Sequence, residues 1–256
     1  MVQAYLRYWL ASRNEHSLHS PFLYDLYTRT IHAGDRRNGD FAPIQALRRE
    51  LCNSRQLIHV TDFGTGSDQY ARSVGSIARH SLKSDKFGRL LFRLVQRFGA
   101  KTVLDLGTSL GITTAYLAMA TKANSGQVIT FEGCPQTAAV AGETFGRLTG
   151  GNVQQIIGNL DKTLAPVLAN LGKVDLIFFD ANHRYEPTIQ YFTQCLNHIH
   201  NDSVFIFDDI HWSPEMEQAW ATIKTHPSVT VTVDLFQIGL VFFRREQPKQ
   251  DFILRF

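Results

Sequence analysis

Three acidic residues follow two apolar runs of the sequence. Asp180 comes directly after residues 174–179 (VDLIFF), and Asp208 and Asp209 come after residues 203–207 (SVFIF). Carboxylates held close together repel one another unless a cation or a proton lies between them. Their hard oxygen atoms suit Mg²⁺, Mn²⁺ or Ca²⁺. We therefore predict a divalent metal site; helix capping by Asp180 and a solvated loop at Asp209 remain alternatives.

A histidine lies three residues beyond the first of these acids. His183 stands in the sequence DANHRY, which begins at Asp180. A divalent cation that binds a hydroxyl lowers its pKa and fixes its position, and a nearby histidine can take the proton near neutral pH. The pair predicts a catalytic role for His183 and Asp180. The alternative is that His183 only hydrogen-bonds Asp208 or Asp209.

Glycines and an acid follow two earlier apolar runs. Asp105 lies in the run TVLDL, which GTSLG follows, so that Gly107 and Gly111 let the backbone turn sharply and approach a ligand. Glu132 ends the next run, QVITF, and stands 27 residues after Asp105. An acid in this position can accept hydrogen bonds from the ribose hydroxyls of a nucleoside. The dinucleotide fingerprint G-x-G-x-x-G needs a glycine where Ser109 stands, so NAD is the weaker reading.

A parallel sheet is needed to bring these positions together. From residue 101 onward apolar strands alternate with helices, which indicates a sheet covered on both faces. Ligands of such sheets bind beyond the C-terminal ends of the strands, where the acids and glycines stand. A short turn joins the last two strands, so we expect them to pair antiparallel. The predicted strands are 102–106, 127–131, 153–157, 174–179, 203–207, 229–236 and 240–244, and the helices between them are 112–121, 135–148, 160–171, 186–199 and 215–224.

The first hundred residues are predicted to be mainly helical. We expect helices at 2–12, 21–31 and 43–53 and a further helix from Lys86, with a polar loop at 34–40 and a short strand from Leu57. Residues 62–67 (DFGTGS) imitate a strand-end glycine loop, but no acid-ended strand follows, so we interpret them as a turn. The resulting domains are a helical segment at 1–85 and a catalytic domain at 86–256.

Residues 81–245 resemble the class I S-adenosylmethionine-dependent methyltransferases. The resemblance rests on an acid-x-Gly-x-x-x-Gly loop and an acid that closes the second strand, here Asp105, Gly107, Gly111 and Glu132. It implies an α/β fold with a Rossmann-like seven-stranded sheet whose last strand is antiparallel. The implied cofactor-binding residues are Asp105, Gly107, Thr108, Ser109, Gly111, Thr113, Glu132, Gly158, Asn159 and Asp180. For Thr113, the alternative is that it is an ordinary residue in the first turn of a helix.

The later strand ends resemble the catechol-type O-methyltransferases and a related group that carries Asp-x-x-His-x-Tyr. This resemblance implies O-methylation of a small hydroxylated molecule with S-adenosylmethionine and Mg²⁺ or Mn²⁺, the metal ligands being Asp180, Asp208 and Asp209. Catechol-type enzymes place Asn at the position of Asp209 and a lysine base at the position of His183, which argues against a catechol substrate. Residues 16–22 (HSLHSPF) resemble the N-terminal signature of a bacterial branch, and we expect their histidines to cap and pack rather than bind metal.

The composition of the chain limits which classes of protein and of partner remain possible. The chain has 256 residues, of which 44% are hydrophobic, and no apolar run long enough for a membrane helix. Its three separated cysteines and the lack of a secretory signal favour the cytoplasm. Residues 1–100 carry 15 Lys and Arg against 8 Asp and Glu, which fits a lid or partner surface, or simply solvated helix faces. We expect no nucleic acid or membrane partner, and a homodimer is compatible. A Rossmann oxidoreductase and a non-catalytic binding module are the alternatives.

Overall fold

The computed structural model describes residues 2–33, 40–61 and 69–256. The chain divides into two compact units, which we call the terminal unit (residues 1–34 and 168–256) and the middle unit (residues 35–167). The domain boundary predicted at residue 85 coincides with neither limit and stays a prediction. The predicted turn at 62–67, and the predicted loop at 34–40 up to residue 39, lie outside the described residues.

The order of helices and strands follows the predicted alternation. The helices are α1 Val2–Ala11, α2 Pro21–Leu26, α3 Ala42–Asn53, α4 Val74–Ser81, α5 Asp85–Arg97, α6 Ile112–Ala123, α7 Pro135–Leu148, α8 Leu160–Ala169, α9 Tyr185–Cys195 and α10 Pro214–Thr225. The strands are β1 Leu57–Thr61, β2 Gln69–Ser73, β3 Thr102–Leu106, β4 Gln127–Glu132, β5 Val153–Ile157, β6 Leu176–Phe179, β7 Val204–Asp208, β8 Val231–Asp234, β9 Ile238–Phe242 and β10 Gln250–Ile253. A single π-helical turn, Tyr27–Ile31, continues α2, whose N-terminus is capped by the Ser20 side chain.

The middle unit contains three parallel strands and a hairpin. β3 pairs with β4, and β4 pairs with β5, so that their C-terminal ends lie at the same edge. The apolar face of α5 is buried as its periodicity predicts, with Leu90, Leu94 and Val95 fully covered. β1 and β2 form an antiparallel hairpin. The sequence did not predict β2, which is short and mainly polar, or α4, which has only eight residues.

The terminal unit contains five strands in the order β10-β8-β9-β7-β6. β6 and β7 are parallel, while β9 runs antiparallel to both β7 and β8, which confirms the predicted antiparallel pair. The chain ends in a further strand, β10, parallel to β8. Apart from the β1–β2 hairpin, the described residues contain eight strands, one more than the seven that were predicted. β10 was missed because it has four residues and follows a polar stretch.

The two ends of the chain meet in the terminal unit. The backbone N–H of Arg13 donates to the carbonyl of Ile253 at 2.9 Å, and the N–H of Arg255 donates to the carbonyl of Arg13 at 3.1 Å. The buried Tyr8 hydroxyl, on α1, donates to the carbonyl of Leu254 at 2.6 Å. The segment after α1 is therefore bonded to the strand that ends the chain.

Parallel strands joined by helices place both units in the α/β class, with the Rossmann-like arrangement predicted. Within the described ranges, no helix combines the length and the apolar character needed to cross a membrane. Cys52, Cys134 and Cys195 are free thiols, as their spacing predicts.

Candidate functional site

The glycine loop between β3 and α6 is bonded to the end of β4. The N–H of Thr108 donates to the carbonyl of Phe131, and the N–H of Ser109 donates to Oε2 of Glu132, both at 2.9 Å. Gly111 ends the loop with φ at +83°, and a Cβ there would lie 2.8 Å from the ring of Phe145. Only glycine fits this position without strain. The loop and the acid that the sequence paired are therefore in direct contact.

Asp105 anchors the loop from inside the core. Its fully buried Oδ2 accepts hydrogen bonds from the hydroxyls of Thr114 at 2.6 Å and Thr130 at 2.9 Å. Because Thr130 gives its proton to Asp105, the hydroxyl of Thr108 donates to Thr130 across 2.6 Å. Asp105 and Thr108 thus fix the loop by buried bonds. The sequence missed Thr114 and Thr130; Thr113, the predicted neighbour, is half-buried in the first turn of α6.

Glu132 receives backbone N–H groups on both carboxylate oxygens. Oε1 accepts from Cys134 at 2.9 Å, and Oε2 accepts from Ser109. Burial raises the pKa of Glu132, although the N–H groups of Cys134, Ser109 and Gly133 act to lower it. A carboxylate offers about four acceptor positions, so these donors leave part of its acceptor capacity unused.

The end of β5 adjoins the same acid. The N–H of Gly158 donates to the backbone carbonyl of Glu132 at 2.9 Å. Asn159 follows, and its Oδ1 accepts from the N–H of Asp161 at 2.9 Å at the start of α8. The structure therefore brings together the predicted residues that follow β3, β4 and β5 in the middle unit.

The acid cluster lies in the terminal unit, beyond β6 and β7. Asp180, His183 and Asp208 each offer one ligand atom, and these atoms all lie within 4.8 Å of one another. His183 Nε2 is 3.4 Å from Asp180 Oδ1. Asp208 is buried, while the other two are half-buried. This group matches two of the three predicted ligands and adds the predicted base.

Asp209 does not belong to this group among the described residues. Successive side chains of a strand point to opposite faces, and Asp208 is the last residue of β7. Asp209 follows with φ at +53°. Its role as a ligand stays a prediction.

Left-handed backbone conformations concentrate at these strand ends. Of the six non-glycine residues with positive φ in the described chain, four lie within four residues after the end of β3, β6 or β7: Ser109, Asn182, His183 and Asp209. Such residues cost free energy and gather where a side chain must be aimed at a ligand. Asn182, which the sequence reasoning missed, donates from Nδ2 to the Tyr191 hydroxyl at 2.6 Å. Asn-His after an apolar run was the available signal, because Asn tolerates this region.

Two histidines outside this cluster, His211 and His16, have carboxylate partners of their own. His211 Nε2 lies 2.8 Å from Asp234 Oδ2, and Nδ1 lies 3.3 Å from Glu217 Oε1. Burial lowers the pKa of His211, but the hydrogen bonds and charges of these two carboxylates outweigh it and raise the value. His16 is exposed and lies 3.8 Å from Glu15. Trp212 is 58% exposed.

Comparison with known proteins identifies the segment that carries these residues. Residues 104–210 match the model of a family described as a methyltransferase domain. A catechol O-methyltransferase from Niastella koreensis is 32% identical over 125 residues, 48% of this chain and 55% of the relative. The uncharacterized protein R132 of Acanthamoeba polyphaga mimivirus is 32% identical over 75 residues, 27% of this chain and 34% of the relative. The chain thus spans about half of the first relative and one third of the second.

Solved structures share the fold. Cofactor-bound Rv0187 from MTB has a TM-score of 0.61 and 20% identity, over 89% of this chain and 99% of that one. The O-methyltransferase from Bacillus cereus in complex with SAH has a TM-score of 0.54 and 24% identity, over 64% and 83%. Residues 104–210 therefore resemble a methyltransferase domain, and the chain shares the fold of these solved structures, one of which is an O-methyltransferase.

Proposed function

We propose that this protein transfers the methyl group of S-adenosylmethionine to an oxygen of a small hydroxylated molecule. The observation that carries the proposal is the contact between Ser109 of the glycine loop and Glu132 at the end of β4. It supports a nucleoside site, because a carboxylate acceptor lies beside a turn whose backbone a ligand can approach. The catechol O-methyltransferase of Niastella koreensis supports oxygen as the methylated atom.

The middle unit supplies the cofactor residues. Glu132 is assigned to the ribose, for which it keeps acceptor capacity, and Gly158 and Asn159, next to it, are assigned to the adenine side. Ser109 and Thr113 are assigned to the methionine end. Each group is pre-positioned by bonds within the protein, which lowers the ordering cost of binding.

The terminal unit supplies the metal and proton residues. Two carboxylates with an imidazole beside them, whose nearest atoms lie within 4.8 Å of one another, fit a site for Mg²⁺ or Mn²⁺. We assign Asp180 and Asp208 as its ligands. When bound, the cation supplies a lowered hydroxyl pKa and a fixed oxygen position. His183, whose Nε2 lies 3.4 Å from Asp180 Oδ1, is assigned as the group that accepts the proton of the substrate hydroxyl.

Calorimetry with S-adenosylhomocysteine tests the cofactor. We expect saturable binding at one site. Binding of NADH in place of S-adenosylhomocysteine contradicts the proposal. Transfer of a labelled methyl group to a panel of small phenols and alcohols then tests the reaction itself.

Titration of free Mn²⁺ by its paramagnetic resonance signal tests the metal. Wild-type protein should remove free Mn²⁺ from solution, and Asp208→Asn should remove much less. Asp161→Asn on α8 is the matched control and should bind as wild type. His183→Gln should keep Mn²⁺ and lose turnover; loss of Mn²⁺ in this variant makes His183 a ligand and refutes its assignment as the base.

A further inference from the structure

A serine from outside the predicted cofactor residues touches the glycine loop. Ser81 is the last residue of α4, and its Oγ lies 3.1 Å from Oγ of Ser109. The Ser81 hydroxyl also donates to the backbone carbonyl of Ile77 at 2.9 Å. A hydroxyl has one proton to give. The proton between the two serines therefore comes from Ser109.

This assignment decides whether the Ser109 hydroxyl donates a hydrogen bond to a ligand or accepts one from it. Its only proton is directed at Ser81, so it can face a ligand only as an acceptor. The loop N–H of the same residue is already given to Glu132. The methionine end of the cofactor carries an ammonium group, which donates, and a carboxylate, which accepts. An acceptor at Ser109 fits the ammonium group.

The helix that carries Ser81 is held firmly in place. The N–H of Gly75 donates to the carbonyl of Ser54 at 3.1 Å, and the Arg79 guanidinium bonds the carbonyl of Cys52. Ala78, in the last turn, is fully buried. A Cβ on Gly75 would lie 2.5 Å from the Ser54 carbonyl oxygen, so the close approach to α3 depends on glycine. Ser81 thus reaches the loop from a fixed support.

We propose that Ser81 is a positioning residue that makes Ser109 an acceptor for the ammonium group of the methionine end. The proposal rests on the proposed function, because it needs S-adenosylmethionine as cofactor. Ser81 acts through Ser109 and does not itself touch the cofactor. The contribution is that of one hydrogen bond, so we expect loss of Ser81 to weaken binding about 3- to 10-fold.

Two probes separate this role from a merely structural one. S-adenosylhomocysteine carries the amino acid end, and methylthioadenosine lacks it. Calorimetry should show that Ser81→Ala weakens the binding of S-adenosylhomocysteine about 3- to 10-fold and leaves the affinity for methylthioadenosine within about twofold of wild type. Ser81→Thr keeps the hydroxyl and should restore the affinity. Ser76→Ala, on the same helix, is the matched control and should change neither probe.

The double variant completes the test. If Ser81 acts through Ser109, Ser81→Ala should add no further loss in a Ser109→Ala background. An equal loss for both probes, or the same added loss in the double variant, overturns the proposal. If wild type binds S-adenosylhomocysteine and Ser81→Ala binds it equally well, the role of Ser81 alone is refuted. If wild type does not bind it, the proposed function is refuted as well.

Discussion

Replacement of Glu132 by glutamine separates the affinity for cofactor from the stability of the protein. The carboxylate accepts backbone N–H groups from Ser109 and Cys134 at 2.9 Å each. Glutamine keeps one oxygen and turns an NH₂ group toward one of these donors. Losing a hydrogen bond to a charged acceptor costs about 1.5–3 kcal/mol. Glutamine also removes a buried charge, and the raised pKa of Glu132 shows that burial outweighs the hydrogen bonds that favour that charge.

These two effects oppose each other in the free protein, so we expect the free energy of unfolding to change by less than about 1.5 kcal/mol. Cofactor binding has no such compensation. Two ribose hydroxyls would meet one neutral oxygen and one donor in place of a carboxylate. Charge-assisted bonds are about twice as strong as neutral ones, so the loss is about 1.5–3 kcal/mol, or about 10- to 150-fold in Kd.

Calorimetric titration with S-adenosylhomocysteine and urea unfolding measure the two quantities. Glu143→Gln, which neutralises an exposed glutamate on α7, is the matched control and should bind as wild type. The reasoning is refuted if Glu132→Gln binds within about threefold of wild type, or if Glu143→Gln loses as much.

Three further predictions follow from single contacts. Burial raises the pKa of Glu132, so this carboxylate takes up a proton at a higher pH than a free glutamate does. The affinity for S-adenosylhomocysteine should therefore fall as the pH drops through that pKa. Glu132→Gln should abolish this pH dependence of the affinity. Gly111→Ala should lower the free energy of unfolding in urea by about 1–3 kcal/mol, because the φ of Gly111 is +83°. Gly146→Ala, where a Cβ on the helix would meet no other atom, should raise it by about 0.5–1 kcal/mol. A change in the same direction for both variants contradicts this prediction. Tyr8→Phe should lose about 0.5–1.5 kcal/mol through its buried 2.6 Å bond, and Tyr5→Phe, half exposed, should lose less.

The sequence predicted well what depends on local pattern. β3, α7 and β5 were placed at their observed bounds, because apolar runs mark the two strands, while Pro135 begins the helix and Gly150 follows it. Glu132 and the glycine loop were paired from their spacing and from the family resemblance; the structure places them in contact, and their cofactor roles stay predictions. β2, α4 and β10 were missed because their stability comes from neighbours distant in the chain, which no local period records.

The site shows the same limit. The sequence could predict the residue types and the positions of Asp180, His183 and Asp208, because all three follow apolar strands. That His183 rather than Asp209 completes the cluster depends on the left-handed turns after β6 and β7, which the sequence marks only weakly. The hydroxyl chain from Thr108 to Asp105 and the contact of Ser81 with Ser109 also depend on tertiary positions.

The meeting of the two chain ends in the terminal unit has a consequence for synthesis. A ribosome makes the chain from its N-terminus, and domains fold as their residues emerge. Every residue of the middle unit has been made before β6 begins, whereas Tyr8 and Arg13 must wait for partners at residues 253–255. Until then α1 presents its apolar side chains to the cell. Synthesis of residues 253–255, rather than emergence of the first helix, therefore sets the earliest moment at which this unit can close.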